Sequence, residues 1–238
     1  MRAMVLAAGE GQRLRPYTEH MPKPMLRIAS VPVLEYNLRL LKKYGVKEAA
    51  INLHYHPEAI KEHFGDGKAM GMSLTYSYED ELLGTAGAVK KMEKFFTETF
   101  LVLYGDNLTN CDLGRLTAFH KSKGGSCTVA LFHREDVTAS GIAELDSRDR
   151  ILRFVEKPAP ENVFSHWVSA GIMVMEPAML KFIPEKQPSD FGRNVLPSLI
   201  QAGEVYGYRM QEDLWWIDTP KDYERIQTLA SRGELQLP

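Results

Sequence analysis

Cysteine is scarce in this chain: Cys111 and Cys127 are the only two among 238 residues, and they form no Cys-x-x-Cys pair. That leaves no cysteine metal framework and no disulfide scaffold. An excess of one charge is also lacking, since 29 Lys and Arg stand against 31 Asp and Glu for a net charge of −2. Broad electrostatic attraction to nucleic acid or to an anionic membrane is therefore not expected. No run approaches the ~18 consecutive apolar residues of a membrane span. Met1–Gly9 is too short for a signal segment, so the cytoplasm is the expected location. Repeats, low-complexity tracts and flexible linkers are missing as well.

What is present is ordinary globular composition, with 44% hydrophobic and 25% charged residues, enough to bury a core without disulfides. Short apolar runs alternate with helical patterns in the first half. Ala3–Ala7, Ala49–Leu53, Ser73–Tyr78 and Phe100–Tyr104 read as strands. Leu34, Leu38 and Leu41 fall on one helical face before Gly45, and helices are also predicted over Pro57–Phe64, Gly84–Phe96 and Leu113–Lys123. Such alternation predicts an α/β fold with a doubly wound, mostly parallel sheet. The second half reads as strands with little helix between them: Cys127–His133, Ile142–Leu145, Ile151–Val155 and Val168–Met175. Two helices follow, near Arg193–Gln201 and Lys221–Arg232. The expectation is one domain over 1–238 whose lobes divide near residue 125, the later lobe being antiparallel.

The most informative segment is Leu6-Ala7-Ala8-Gly9-Glu10-Gly11-Gln12-Arg13-Leu14-Arg15-Pro16-Tyr17-Thr18. A strand that ends in a turn with Gly9 and Gly11 lets backbone N–H groups approach a phosphate, because no Cβ stands in the way. Arg13 can fork onto the same anion. The turn lacks the third glycine of the dinucleotide fingerprint and the Gly-Lys-Ser/Thr of a P-loop; alone it fits a tight βα turn with a surface arginine equally well. Pro22-Lys23-Pro24 then fixes a lysine between two prolines, a scaffold that a merely solvated side chain would not need.

Across Leu6–Pro24 the chain resembles the sugar-1-phosphate nucleotidyltransferases. Their opening pattern is Leu-Ala-Ala-Gly-x-Gly-x-Arg-Leu-x-Pro-x-Thr followed by Pro-Lys-Pro. The resemblance implies a Rossmann-like nucleotidyltransferase fold with a nucleotide-binding lobe (about 1–125) and an antiparallel sugar-binding lobe (about 126–238). It also implies transfer of a nucleotidyl group to a sugar 1-phosphate. Larger relatives carry a C-terminal left-handed β-helix, and none is expected in this sequence. The implied partners are a nucleoside triphosphate and a sugar 1-phosphate, with Mg²⁺ as cofactor. Nucleic acid and membrane are not expected partners, and self-association stays open.

Further segments carry implied roles. Leu6, Ala8, Gly9 and Gly11 fall to the nucleotide, with Arg13 and Lys23 on its phosphates. Gly84-Thr85-Ala86-Gly87 opens a helix whose small residues leave room for a base and whose N-terminus favours negative charge. The family's mannose-1-phosphate guanylyltransferase-like branch has the same four residues, which makes GTP the favoured triphosphate. Glu79, in the acidic run Glu79-Asp80-Glu81, is read either as the bidentate acceptor for guanine or as part of a solvated acidic loop. Asp106 ends the strand Phe100–Tyr104 through Tyr104-Gly105-Asp106, where open α/β sheets bind ligands. Asp218, in Trp216-Ile217-Asp218-Thr219-Pro220, is read either as a helix N-cap or as a second ligand sharing Mg²⁺ with Asp106. Glu156-Lys157-Pro158 resembles the family segment that places the glutamate on sugar hydroxyls and the lysine on the sugar phosphate. Gly141 and Ser169 complete the sugar contacts, Ser169 standing where the family usually has asparagine.

Thymidylyl-, uridylyl- and cytidylyltransferases, and a non-catalytic subunit that senses a sugar nucleotide, are the alternatives. Asp190-Phe191-Gly192 is not a kinase motif, because no His-Arg-Asp loop accompanies it. His54 and His56 read as a surface pair and not as zinc ligands.

Overall fold

The computed structural model describes residues 1–185 and 188–238, and packing divides the chain into two compact units. The first comprises Met1–Leu82, Leu103–Cys111 and Glu212–Pro238; the second comprises Leu83–Val102 and Asp112–Gln211. The division expected near residue 125 does not coincide with this one, because the chain passes between the units several times.

The first unit is built on parallel strands. Ala3–Leu6 pairs with Glu48–Leu53, which pairs with Ser73–Tyr78, all parallel. Ala3, Met4, Val5, Ala49, Ala50 and Ile51 are buried, as strands covered on both faces must be. The helix Val33–Lys43 buries Leu34, Leu38 and Leu41 on the predicted face. Neither member of the antiparallel pair Asn107–Thr109 and Leu214–Trp216 is expected from sequence, since three-residue strands show no period. This pair brings the late segment Ile217–Asp218 to the end of the strand Phe100–Tyr104. Behind it Ile217, Ile226, Leu108, Leu14 and Leu26 pack into one apolar cluster, seating the helix Pro220–Ser231.

The second unit is largely antiparallel. Ile151–Glu156 pairs with Gly141–Leu145, and Trp167–Met175 pairs with Cys127–His133. A strand not foreseen from sequence, Val205–Arg209, adds to Cys127–His133 in parallel. The predicted helix near Arg193–Gln201 is a π turn, Phe191–Val195, running into a short α-helix, Leu196–Gln201. The long helix predicted from Gly84 stops at Lys91.

Parallel core strands and an antiparallel portion thus agree with the predicted α/β class. Both cysteines are buried and free, and burial pushes the Cys127 thiol up to about 12, which makes it a packing residue. Among the described residues no helix is long and apolar enough to cross a membrane.

Gly105 shows how tightly the Asp106 turn is held. Its N–H donates to the Leu6 carbonyl at 2.8 Å, and a Cβ there would meet Val5 Cγ1 at 2.9 Å and the Leu6 oxygen at 3.0 Å. Gly105→Ala is expected to lower stability by about 1–3 kcal/mol, the usual range for overpacking, measurable by denaturant unfolding; an unchanged midpoint would contradict the steric reading.

Candidate active site

In the first unit the strand Ala3–Leu6 runs into the turn Ala7–Gly11. The turn is fixed at its entry, where the Ala7 N–H donates to Asn52 Oδ1 at 2.8 Å, and at its exit, where the Thr18 hydroxyl donates to the Gly11 carbonyl at 2.8 Å. Gly11 sits at φ 65° with Lys23 Cβ 2.9 Å from where its own Cβ would be, so conformation and packing both demand glycine. Gly9 differs. Nothing lies within 4 Å of a Cβ built on it, so the protein's own packing does not require its bareness. A side chain there would face open space.

Arg13 follows on the 3₁₀ turn Gln12–Leu14, its guanidinium 3.2 Å from Asp218 Oδ1 and its side chain 62% exposed. Lys23, in a second such turn between its prolines, is the reverse case, with a side chain 9% exposed. Its ammonium donates to Asp106 Oδ2 at 2.6 Å and to Asp218 Oδ1 at 2.9 Å. Burial works against this charge, but the pull of the two carboxylates and their hydrogen bonds outweighs it and raises the Lys23 pKa. Gly9, Gly11, Arg13, Lys23, Asp106 and Asp218 line one cleft of about 330 Å³, a volume typical of small-ligand sites.

The helix after Asp218 is capped by its neighbour. The Thr219 hydroxyl accepts from the Asp222 N–H while the Asp222 carboxylate accepts from the Thr219 N–H, a capping box. Asp218 is not the cap, and its carboxylate points to Lys23 and Arg13.

Glu79 is a correction. The carboxylate that the sequence offered to a guanine edge is 1% exposed, and its Oε1 accepts from Asn52 Nδ2 at 2.9 Å. In this conformation it presents no open pair of acceptors; it holds Asn52, which in turn holds Ala7 at the start of the Ala7–Gly11 turn. Asn52 is a site-building residue that the sequence reading missed, hidden inside an apolar strand. His54 and His56 do not act together, since Nδ1 of the first donates to the Glu79 carbonyl at 2.7 Å and Nδ1 of the second lies 3.0 Å from Glu58.

In the second unit the start of the helix Gly84–Lys91 also differs from expectation. Thr85 N–H donates to Asp190 Oδ1, and Ala86 and Gly87 N–H both donate to the Ser189 carbonyl. These donors are satisfied inside the unit, so this helix N-terminus is not an open anion site. Gly84 itself has φ 74°, with the Ser189 oxygen 2.6 Å from a built Cβ.

The strand Ile151–Glu156 ends with Lys157 at φ 50°, a left-handed conformation unfavourable for lysine. It is held by a hydrogen bond from the Lys157 N–H to the Ser140 carbonyl. The side chain is exposed; among the described residues no ion pair or hydrogen bond engages its ammonium. Glu156 is half-buried against two bare glycines: a Cβ on Gly141 or on Gly192 would lie 2.6 Å from Glu156 Oε2. Gly141 is therefore bare to seat Glu156 and the Phe154 ring, a packing reason where sequence suggested backbone contact with a sugar. Burial, reinforced by Asp190, raises the Glu156 carboxyl pKa against the opposing charges of Lys157 and Arg193. The Ser169 hydroxyl accepts from the Gly171 N–H at 3.3 Å, at a bulge in the strand Trp167–Met175.

The Lys23 cluster has a pH signature. A lysine whose folded pKa is raised above its ordinary 10.5 contributes stability that is complete below that value and is lost as pH climbs through the folded value. The difference in unfolding free energy between the wild type and Lys23→Met is expected to stay level to about pH 10 and to narrow above it, read from urea titrations at a series of pH values. A difference that widens above pH 10 would refute the raised pKa.

Comparison with known proteins places this architecture. The profile of the family described as "Nucleotidyl transferase" matches residues 2–230. A UTP–glucose-1-phosphate uridylyltransferase of Synechocystis is 35% identical over 100% of this chain, and a mannose-1-phosphate guanylyltransferase of Mycobacterium tuberculosis is 34% identical over 97% of it. The chain spans 66% and 65% of the length of these two relatives. Among solved structures, a UDP-glucose pyrophosphorylase complexed with UDP-glucose superposes with a TM-score of 0.86 at 17% identity, covering 98% of each chain. HddC from Yersinia pseudotuberculosis, complexed with GMP-PN, gives 0.80 at 22%, covering 95% of this chain and 98% of its own. These likenesses establish the same fold, and the matched profile establishes more: the chain belongs to the nucleotidyl transferase family.

Proposed function

We propose that the protein transfers a nucleotidyl group from a nucleoside triphosphate to a sugar 1-phosphate, giving a nucleoside diphosphate sugar and pyrophosphate. The observation that carries this reading is the Lys23 ammonium held between Asp106 and Asp218, in a cleft bordered by the Gly9–Arg13 turn. A sugar phosphate oxygen attacks the α-phosphorus in line; the new P–O bond forms as the bond to the departing pyrophosphate breaks. Little covalent help is needed, so catalysis is positioning and charge neutralisation. No general base is required, because a phosphate monoester, with its second pKa near ~6, is already largely ionised at neutral pH.

In this reading Leu6, Ala8, Gly9, Gly11 and Arg13 take the triphosphate, and Lys23 and Lys157 neutralise the reacting phosphates. Glu156, with Ser169, takes the sugar. Asp106 and Asp218 fit a hard divalent cation, since both are carboxylates, both partly exposed, and both within 2.9 Å of one positive centre. Among the described residues no third His, Cys, Asp or Glu joins them, which suits Mg²⁺, an ion that keeps water and phosphate ligands. Bound there, Mg²⁺ would supply charge neutralisation to the phosphates.

For the base we take guanine, supported by the guanylyltransferase name of the M. tuberculosis relative and by the four residues Gly84–Gly87 shared with the guanylyltransferase-like branch, a resemblance of sequence and not of an open pocket. The uridylyltransferase name of the Synechocystis relative makes UTP the main rival. Glu79 serves the phosphate turn through Asn52. We take the cytoplasm as the site of the reaction, a reading supported by two free buried thiols.

The deciding experiment crosses GTP, UTP, dTTP and CTP with a panel of sugar 1-phosphates and reads pyrophosphate release. GTP is expected to give the highest kcat/KM; a preference for UTP would overturn guanine and leave nucleotidyl transfer standing, whereas no release with any pair would overturn the reaction. Asp106→Asn and Asp218→Asn should each lower kcat by roughly 100-fold or more, the scale of a lost electrostatic stabiliser. Their double variant should be hardly worse, because each removes the same ion. Additive losses would argue against a shared cation. Lys157→Ala should raise KM mainly for the sugar phosphate and Arg13→Ala mainly for the triphosphate, and equal effects on both substrates would contradict this division.

A further inference from the structure

The run Ser189–Gly192 lies against two elements of the second unit that the proposed reaction uses. Toward the helix Gly84–Lys91 it makes a dense set of hydrogen bonds. The Ser189 N–H donates to the Leu83 carbonyl at 2.8 Å, and the Ser189 carbonyl accepts from Ala86 and Gly87 at 2.8 and 3.0 Å. Asp190 Oδ1 accepts from both the N–H and the hydroxyl of Thr85, each at 3.2 Å. The Phe191 N–H returns a hydrogen bond to the same hydroxyl at 2.9 Å. Asp190 is itself fixed, since its N–H donates to Asn194 Oδ1 at 2.7 Å. Two residues on, Gly192 meets Glu156: a Cβ there would stand 2.6 Å from Oε2 and 3.2 Å from Cδ of that carboxylate. Four consecutive residues therefore grip the start of the nucleotide-side helix and the end of the sugar-side strand, with Phe191 anchoring the run at 1% exposure.

We infer that Asp190 is a positioning residue that sets the Gly84–Gly87 turn and, through Gly192, the seat of Glu156, so that one segment tunes the binding of both substrates. The inference rests on the function proposed above. Asp190 touches neither reacting group; it acts through Thr85 and through the backbone it anchors. An aspartate suits this place because one of its oxygens accepts two bonds at a helix start, where a negative charge also meets the helix dipole favourably. A glycine suits position 192 because any side chain would push Glu156 away.

The test uses the full chain with Asp190→Ala, Asp190→Asn and Gly192→Ala, and two readouts. Amide hydrogen exchange at Thr85, Ala86 and Gly87 without substrate reports the turn directly. Two-substrate kinetics, with GTP and α-mannose 1-phosphate or the best pair of the panel, reports binding. Asp190→Ala is expected to speed exchange at those amides and to raise both KM values by about tenfold, the scale of a lost charge-assisted hydrogen bond. Asp190→Asn keeps an acceptor oxygen and should restore most of both effects. Gly192→Ala should raise KM for the sugar phosphate and leave that for the triphosphate unchanged. A merely structural role would lower the unfolding midpoint and the active fraction with both KM values unmoved, and that result overturns the inference. Unchanged exchange in Asp190→Ala overturns it equally. If the wild type released no pyrophosphate with any pair, the functional reading would fall, and the exchange arm would still decide whether Asp190 sets the turn.

Discussion

Three stretches of chain that are remote in sequence meet at the Lys23 ammonium. The proline-flanked turn supplies the lysine, the end of the strand Phe100–Tyr104 leads to Asp106, and the three-residue strand Leu214–Trp216 delivers Asp218. A buried ammonium without partners would lose its charge, and two carboxylates this close without a cation would repel each other. Each group therefore makes the others tolerable. The supporting features follow from holding these three in register: Gly11 is bare because Lys23 packs against it, Gly105 is bare because the Asp106 turn presses on Leu6, and Thr219 takes over the helix cap so that Asp218 can face inward.

The second unit solves a different problem by similar means. Its glycines are determined by what lies over them. Gly84 makes room for the Ser189 carbonyl, while Gly141 and Gly192 make room for Glu156. The polar groups at the start of the helix Gly84–Lys91 are satisfied internally, which gives a rigid turn in place of an anion hole. Lys157, in contrast, has an exposed ammonium on a left-handed backbone, a costly arrangement that neighbouring contacts must hold. The two lysines of the proposed mechanism thus sit in opposite settings, one enclosed by carboxylates and one open to solvent.

Much of this was legible in the sequence. The strands read at Ala49–Leu53 and Ser73–Tyr78 are found at Glu48–Leu53 and Ser73–Tyr78, and the helix over Leu34, Leu38 and Leu41 carries its own periodicity. What escaped depended on distant partners. The pairing of Asn107–Thr109 with Leu214–Trp216 leaves no periodic trace, yet it decides whether Asp218 caps the helix or faces Lys23 and Arg13. Glu79 stood out as a carboxylate, but nothing local reveals that Asn52, 27 residues earlier, engages it. Nothing local to Asp190-Phe191-Gly192 reveals its bond to Thr85, which spans 105 residues. Single-residue chemistry is readable from sequence; its partner is not.

The proposed Mg²⁺ gains support from charge counting. Arg13 and Lys23 contribute two positive charges to the cleft, and Asp106 and Asp218 contribute two negative ones. The set is neutral by itself, and the chain as a whole is slightly acidic at −2. A triphosphate entering such a cleft, as proposed, would find no net charge on these four side chains; backbone N–H groups near Gly9 offer dipoles but no charge. An anion of that size would need positive charge brought in with it, and a divalent cation held by Asp106 and Asp218 would supply that in the proposed reaction. The same count explains why Lys23 is enclosed by carboxylates. Paired in this way, its ammonium is kept charged and in place.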